Sequence, residues 1–83
     1  MKELVEYIVK ALVDQPDKIS VKETVGDTVT ILEVRTAPED AGKVIGREGR
    51  IVKSIRAITM AAAAKQNKKV TVEIITADKE PRN

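Results

Sequence analysis

The chain has 83 residues, 42% hydrophobic and 34% charged, which is enough for one compact, well-solvated domain and too little for a second core. It has no cysteine or histidine and one aromatic residue, Tyr7, so disulfides and base-stacking aromatic platforms are excluded, and a transition-metal site would need carboxylates alone. The net charge of +2 says little until its distribution is examined.

Residues 3–14 place Leu4, Val5, Ile8, Ala11 and Leu12 at three- and four-residue spacing, with Glu3, Glu6, Lys10 and Asp14 opposite, which predicts an amphipathic helix. Those charges also break the apolar run that a signal peptide or a membrane span needs, so a soluble, cytoplasmic protein with no membrane contact is expected. Proline in Asp14-Gln15-Pro16-Asp17 ends the helix. Ile19, Val21 and Val25 alternate in a strand over 18–25, Gly26-Asp27 reads as a two-residue Gly-X turn, and 28–35 (TVTILEVR) reads as a central strand. Thr36 and Glu39 have the spacing of a capping box, with Pro38 in the first turn of the helix that follows. That helix is short, because Gly46 and Gly49 come soon after.

A longer helix is expected from Arg50 to about Gln66, with Ile51, Val52, Ile55, Ile58 and Ala62 on its core face and Asn67-Lys68 closing it. Ala57, Met60, Ala61 and Ala64 form a second, weaker apolar stripe on this helix, suited to close packing against a partner helix. Val70, Val72 and Ile74 alternate in a last strand over 69–76, and the polar residues 77–83 read as a flexible tail. The expected fold is therefore α+β in the order α-β-β-α-α-β. It is a single domain over 1–76, with a three-stranded mixed sheet and three helices on one face.

Between Lys43 and Arg56 the chain carries Lys43, Arg47, Arg50, Lys53 and Arg56 against Glu48, a local charge of +4, while the remainder sums to −2. The same segment holds Gly46-Arg47-Glu48-Gly49 between two helices. Glycines let the backbone approach another chain closely, and amides at the start of a helix are donors ready for phosphate oxygens. Val44, Ile45, Val52 and Ile55 flank the loop as aliphatic anchors.

These residues resemble the KH signature, I-G-x-x-G-x-x-[I/V]-x-x-I, met by Ile45, Gly46, Gly49, Val52 and Ile55, and the element order is that of the type II KH fold. The run A-P-E-D-A-G-K-V-I-G-R-E-G-R at 37–50 and the alanine-rich helix are similar, more narrowly, to the small bacterial KH proteins of the KhpA family. The resemblance implies a protein that binds single-stranded RNA. Gly46, Arg47, Glu48 and Gly49 would clamp the sugar–phosphate backbone, with Lys43 and Arg50 beside them. Val44, Ile45 and Val52 would line or support the groove for the bases. Lys53 and Arg56 on the exposed side of the helix, and Lys65, Lys68 and Lys69 near the last loop, would be further phosphate contacts.

The resemblance also implies a homodimer or a heterodimer with a larger, KhpB-like KH protein, acting in RNA chaperoning and in control of cell elongation, division and wall formation. Glu48 departs from the basic or neutral residues usual inside the loop, so modest affinity and steep salt dependence are expected. No cofactor, metal or small-molecule substrate is expected, and no enzymatic activity, since neither a phosphate-binding GxxxxGK[ST] loop nor a histidine or cysteine nucleophile is present. The alternative is a KH-fold protein-interaction module with little RNA binding.

Overall fold

The computed structural model describes residues 1–75. Thr76 and the polar stretch 77–83, expected as a tail, lie outside them. The elements run α1 (Lys2–Leu12), β1 (Ser20–Val25), β2 (Thr30–Arg35), α2 (Ala41–Ile45), α3 (Arg50–Ala64) and β3 (Val70–Ile75), with short 3-10 turns at Pro16–Lys18, Pro38–Asp40 and Arg47–Gly49. The strand order is β1-β2-β3, with β1 antiparallel and β3 parallel to the central β2. The α+β fold with a mixed three-stranded sheet is the one expected.

Register decides which face of the sheet is buried. Val21 pairs with Val34, Leu32 with Val72 and Thr30 with Val70, so these apolar residues fall on one side, with Ile31 and Ile75 on the other. That side carries the helices and the core: Val21, Leu32, Val34, Val70 and Val72 pack with Val5, Val9, Val13, Val44, Ile55 and Ala63. The other side carries Ser20, Lys22, Thr24, Glu33, Arg35 and Glu73, as suits a face turned to water.

Helix faces differ in detail from the periodicity reading. In α1 the fully buried residues are Val5 and Val9, continued by Val13 just beyond the helix, while Ala11 is exposed. The helix stops at Leu12, two residues short of the expected end, because Val13 turns extended (φ −101°, ψ 161°) and points back into the core. In α3 the buried line is Val52, Ile55, Thr59 and Ala63, and Ile58 is 52% exposed. A threonine can occupy the core there because its hydroxyl donates to the Ile55 carbonyl at 2.8 Å, leaving no unpaired polar atom.

Two local expectations need correction. The hairpin turns on Asp27-Thr28, one residue later than expected, closed by Gly26 N–H donating to the Val29 carbonyl at 2.9 Å. Gly26 has no positive φ; a Cβ there would stand 2.8 Å from that carbonyl oxygen, so close approach requires the glycine. No capping box forms at Thr36. Asp40 N–H donates to Ala37 at 2.9 Å, moving the helix start on by one residue, and the Thr36 hydroxyl donates to the Ala37 carbonyl. The end of α3 does follow expectation: Asn67 takes φ 58°, Lys68 N–H reaches the Ala63 carbonyl and Asn67 N–H that of Ala64, the paired bonds of a Schellman cap.

Candidate nucleic-acid interface

The Gly46–Gly49 segment lies between α2 and α3 and owes its shape to positive φ angles. Gly46 sits at φ 78°, ψ 171°, Glu48 at φ 57°, ψ 25° and Gly49 at φ 73°, ψ 17°. Such values are cheap for glycine and cost a side-chain-bearing residue about 1–2 kcal/mol. Gly46 N–H donates to the Gly42 carbonyl at 2.8 Å, closing α2, and Gly49 N–H donates to Gly46 at 3.1 Å, closing the loop on itself. The turn delivers the chain into α3, whose first turn has no side-chain cap. Amides at such a helix start carry the positive end of the helix dipole and are suited to anionic oxygens.

The two glycines serve different ends. A Cβ on Gly46 would lie 2.6 Å from Cγ1 and 2.9 Å from the backbone nitrogen of Ile51. A Cβ on Gly49 would meet only the Lys53 Cε at 3.8 Å and the Val52 Cγ1 at 3.9 Å, both ordinary contacts. Gly46 is held by packing and by φ, Gly49 by φ alone.

Of the expected cations, Arg47, Arg50 and Lys53 are exposed at the loop, and the stem of Lys53 lies against Gly49. Glu48 stands 3.7 Å from the Arg50 guanidinium, so its charge is partly answered within the loop. Lys43 is directed elsewhere. Its Nζ lies 3.3 Å from Asp14 and 3.5 Å from Asp40, joining α2 to the segment after α1. Its pKa is raised, chiefly by the hydrogen bond and charge of Asp14; partial desolvation opposes this and Asp40 adds to it. Asp40, only 1% exposed, also accepts the Gln15 main-chain N–H at 3.0 Å. Composition counted Lys43 as a free cation, yet Asp40 is three residues before it on one helical face, a spacing that foretells the pair.

The aliphatic residues divide too. Val44 is fully buried in the core and Val52 nearly so; both support the loop from beneath, while Ile45 is half-buried beside it. Arg56, expected on the exposed side of the helix, is half-buried: its Nε–H donates to the Val72 carbonyl at 2.8 Å. Lys65, Lys68 and Lys69 are not brought to the loop. They lie at or just past the other end of α3, a 15-residue helix about 22 Å long, where the 66–69 turn faces the β1–β2 hairpin.

A model of the KhpA/KhpB KH domain matches residues 2–74. Over 75 residues the chain is 59% identical to the RNA-binding protein KhpA of Clostridium perfringens, covering 90% of this chain and 100% of that protein. It is 57% identical to the KhpA of Clostridium acetobutylicum, with the same coverage, and 48% identical over 73 residues to that of Borreliella burgdorferi, covering 88% of this chain and 89% of the relative. No solved structure matches the chain. With a family match across nearly all of its length and relatives this similar over nearly all or all of theirs, the chain belongs to the KhpA/KhpB family of KH domains.

Proposed function

We propose that this protein binds single-stranded RNA by seating the sugar–phosphate backbone on Gly46–Gly49 and the first turn of α3. The observation that carries the reading is the loop itself: three of its four residues have positive φ, and it opens directly onto an uncapped helix start. Arg47, Arg50 and Lys53 stand exposed around those donors and supply the cationic attraction. The relatives named as RNA-binding proteins support the same ligand. By the family resemblance, the binding serves RNA chaperoning and post-transcriptional control in the cytoplasm, with cell elongation and division as the processes affected.

The test replaces Arg47 and Glu48 together by aspartate and measures binding of single-stranded RNA. Loss of binding with unchanged helical circular dichroism is the expected result. Unchanged binding would overturn the clamp, and a wild-type chain that binds no RNA would favour the protein-interaction alternative.

A second reading concerns the outer face of α3. Ala57, Met60, Ala61 and Ala64 are all exposed, with Met60 at 56%, and Ile58 adds to the same exposed apolar surface. We propose this stripe as the contact for a second KH domain, either another copy or a KhpB-like partner. Two linked clamps on one RNA would bind far more tightly than one. Replacing Met60 by glutamate is expected to give a monomeric mass in light scattering; a wild-type chain already monomeric at high concentration would reject homodimerisation.

A further inference from the structure

Among the described residues β3 is an edge strand, paired with β2 on one side only. Thr30 N–H donates to the Lys69 carbonyl at 2.9 Å, so Lys69, Thr71 and Glu73 turn their main-chain groups toward β2. Val70, Val72 and Ile74 therefore turn theirs to the open edge. Midway along it, Arg56 reaches across from α3. Its Nε–H donates to the Val72 carbonyl at 2.8 Å, and its Nη2 stands 3.9 Å from the Glu73 carboxylate. Guanidinium has five donors, of which this bond consumes one. The side chain remains 38% exposed, so its fork is held in a fixed plane yet reaches solvent.

The position of Arg56 links this edge to the loop. It lies seven residues after Gly49 on α3, two helical turns or about 10 Å along the axis. Lys53 lies between them at helical spacing, on the same side of the helix, with its stem against Gly49. A strand of RNA held at the loop and continuing along this strip would bring its next bases to the Val72 carbonyl, two helical turns on.

We infer that Arg56 selects the base, an inference that rests on the RNA-binding reading above. Its Nη donors meet the O6 and N7 acceptors of guanine, while the bond to the Val72 carbonyl holds the fork in plane. Adenine offers N7 but places an amino donor where O6 would be, so it cannot complete the pair. A role confined to blunting the open edge would affect stability and leave base preference untouched.

The experiment measures binding of the full chain to three uridine oligomers by fluorescence anisotropy: one all-uridine, one with a single central guanosine and one with a central adenosine. The wild type is expected to bind the guanosine oligomer roughly ten-fold more tightly than the adenosine one, the discrimination of a good bidentate contact. Arg56→Lys keeps the charge and the stem but not the fork, and is expected to bring that ratio close to one. Should Arg56→Lys unfold, Glu73→Gln provides the second arm. It leaves the bond to Val72 in place, releases an Nη group from its counter-charge, and is expected to keep or widen the guanosine preference. Equal wild-type binding to guanosine and adenosine oligomers, a ratio unchanged in folded Arg56→Lys, or a ratio lost in Glu73→Gln would each overturn the assignment of Arg56 while leaving the loop reading standing. Wild-type binding to none of the three would overturn both.

Discussion

Gly46 and Ile51 are packed so closely that a single added carbon cannot fit between them: a Cβ on Gly46 would stand 2.6 Å from Ile51 Cγ1. This contact ties the end of α2 to the start of α3 and fixes the direction in which the loop leaves the helices. A Cβ on Gly49, three residues on, would meet only ordinary contacts, Lys53 Cε at 3.8 Å and Val52 Cγ1 at 3.9 Å.

The two glycines should therefore respond differently to alanine. Gly49→Ala is expected to cost about 1–2 kcal/mol, the strain of a positive φ alone. Gly46→Ala adds a clash with a half-buried isoleucine and its backbone, and should cost about 1–3 kcal/mol more. Urea denaturation of the two variants checks the order, and equal losses would contradict the packing role of Gly46.

The cations at the loop are not equivalent. Arg47 is exposed with no acidic partner among the described residues, whereas Lys43 is held by Asp14 and Asp40. Arg47→Gln is expected to weaken RNA binding and to reduce the slope of log affinity against log salt by about 0.7, one phosphate contact on a single strand. Lys43→Gln should leave that slope nearly unchanged. A salt titration of both variants decides the matter.

Glu48 is the one non-glycine residue in the loop with positive φ, and it sets a negative charge beside Arg50. Asparagine tolerates this conformation far better and carries no charge. Glu48→Asn should raise stability by up to about 1 kcal/mol and tighten RNA binding at low salt, by freeing Arg50. Thermal melts and binding curves on the same sample test both effects, and weaker binding would mean that the carboxylate itself contacts the ligand.

Lys43 offers a test of the pairing by pH. Its folded pKa is raised above the ordinary 10.5, so the stabilisation it brings is complete below that value and is lost as pH rises through the higher folded pKa. Replacing Asp14 by asparagine removes the largest cause and should lower the Lys43 midpoint more than any other single change. An NMR titration of the lysine side-chain resonances reads it directly.

Much of this molecule is written in short-range patterns. The order of helices and strands follows from apolar periodicity and from Pro16, Gly46, Gly49 and Asn67, each of which acts on its own backbone. The loop was legible because its glycines and cations are contiguous. What periodicity did not reveal depends on tertiary partners. Thr59 is buried and Ile58 exposed because the sheet lies to one side of α3, and a threonine can satisfy its hydroxyl within its own helix. Arg56 becomes tied to the edge of β3, sixteen residues away, only once the strand has folded back. Lys43 looked free because a charge count ignores Asp14, which reaches it from the segment after α1.

The most direct measurement of the central claim is a titration of the isotopically labelled protein with single-stranded RNA, followed by amide chemical shifts. The largest changes should fall on Gly46 to Lys53, extend along α3 to Arg56 and to Val72 on the strand edge, and spare Ser20, Lys22 and Thr24 on the far face of the sheet. Changes centred on that far face or on the hairpin, with Gly46 to Lys53 unmoved, would contradict the account.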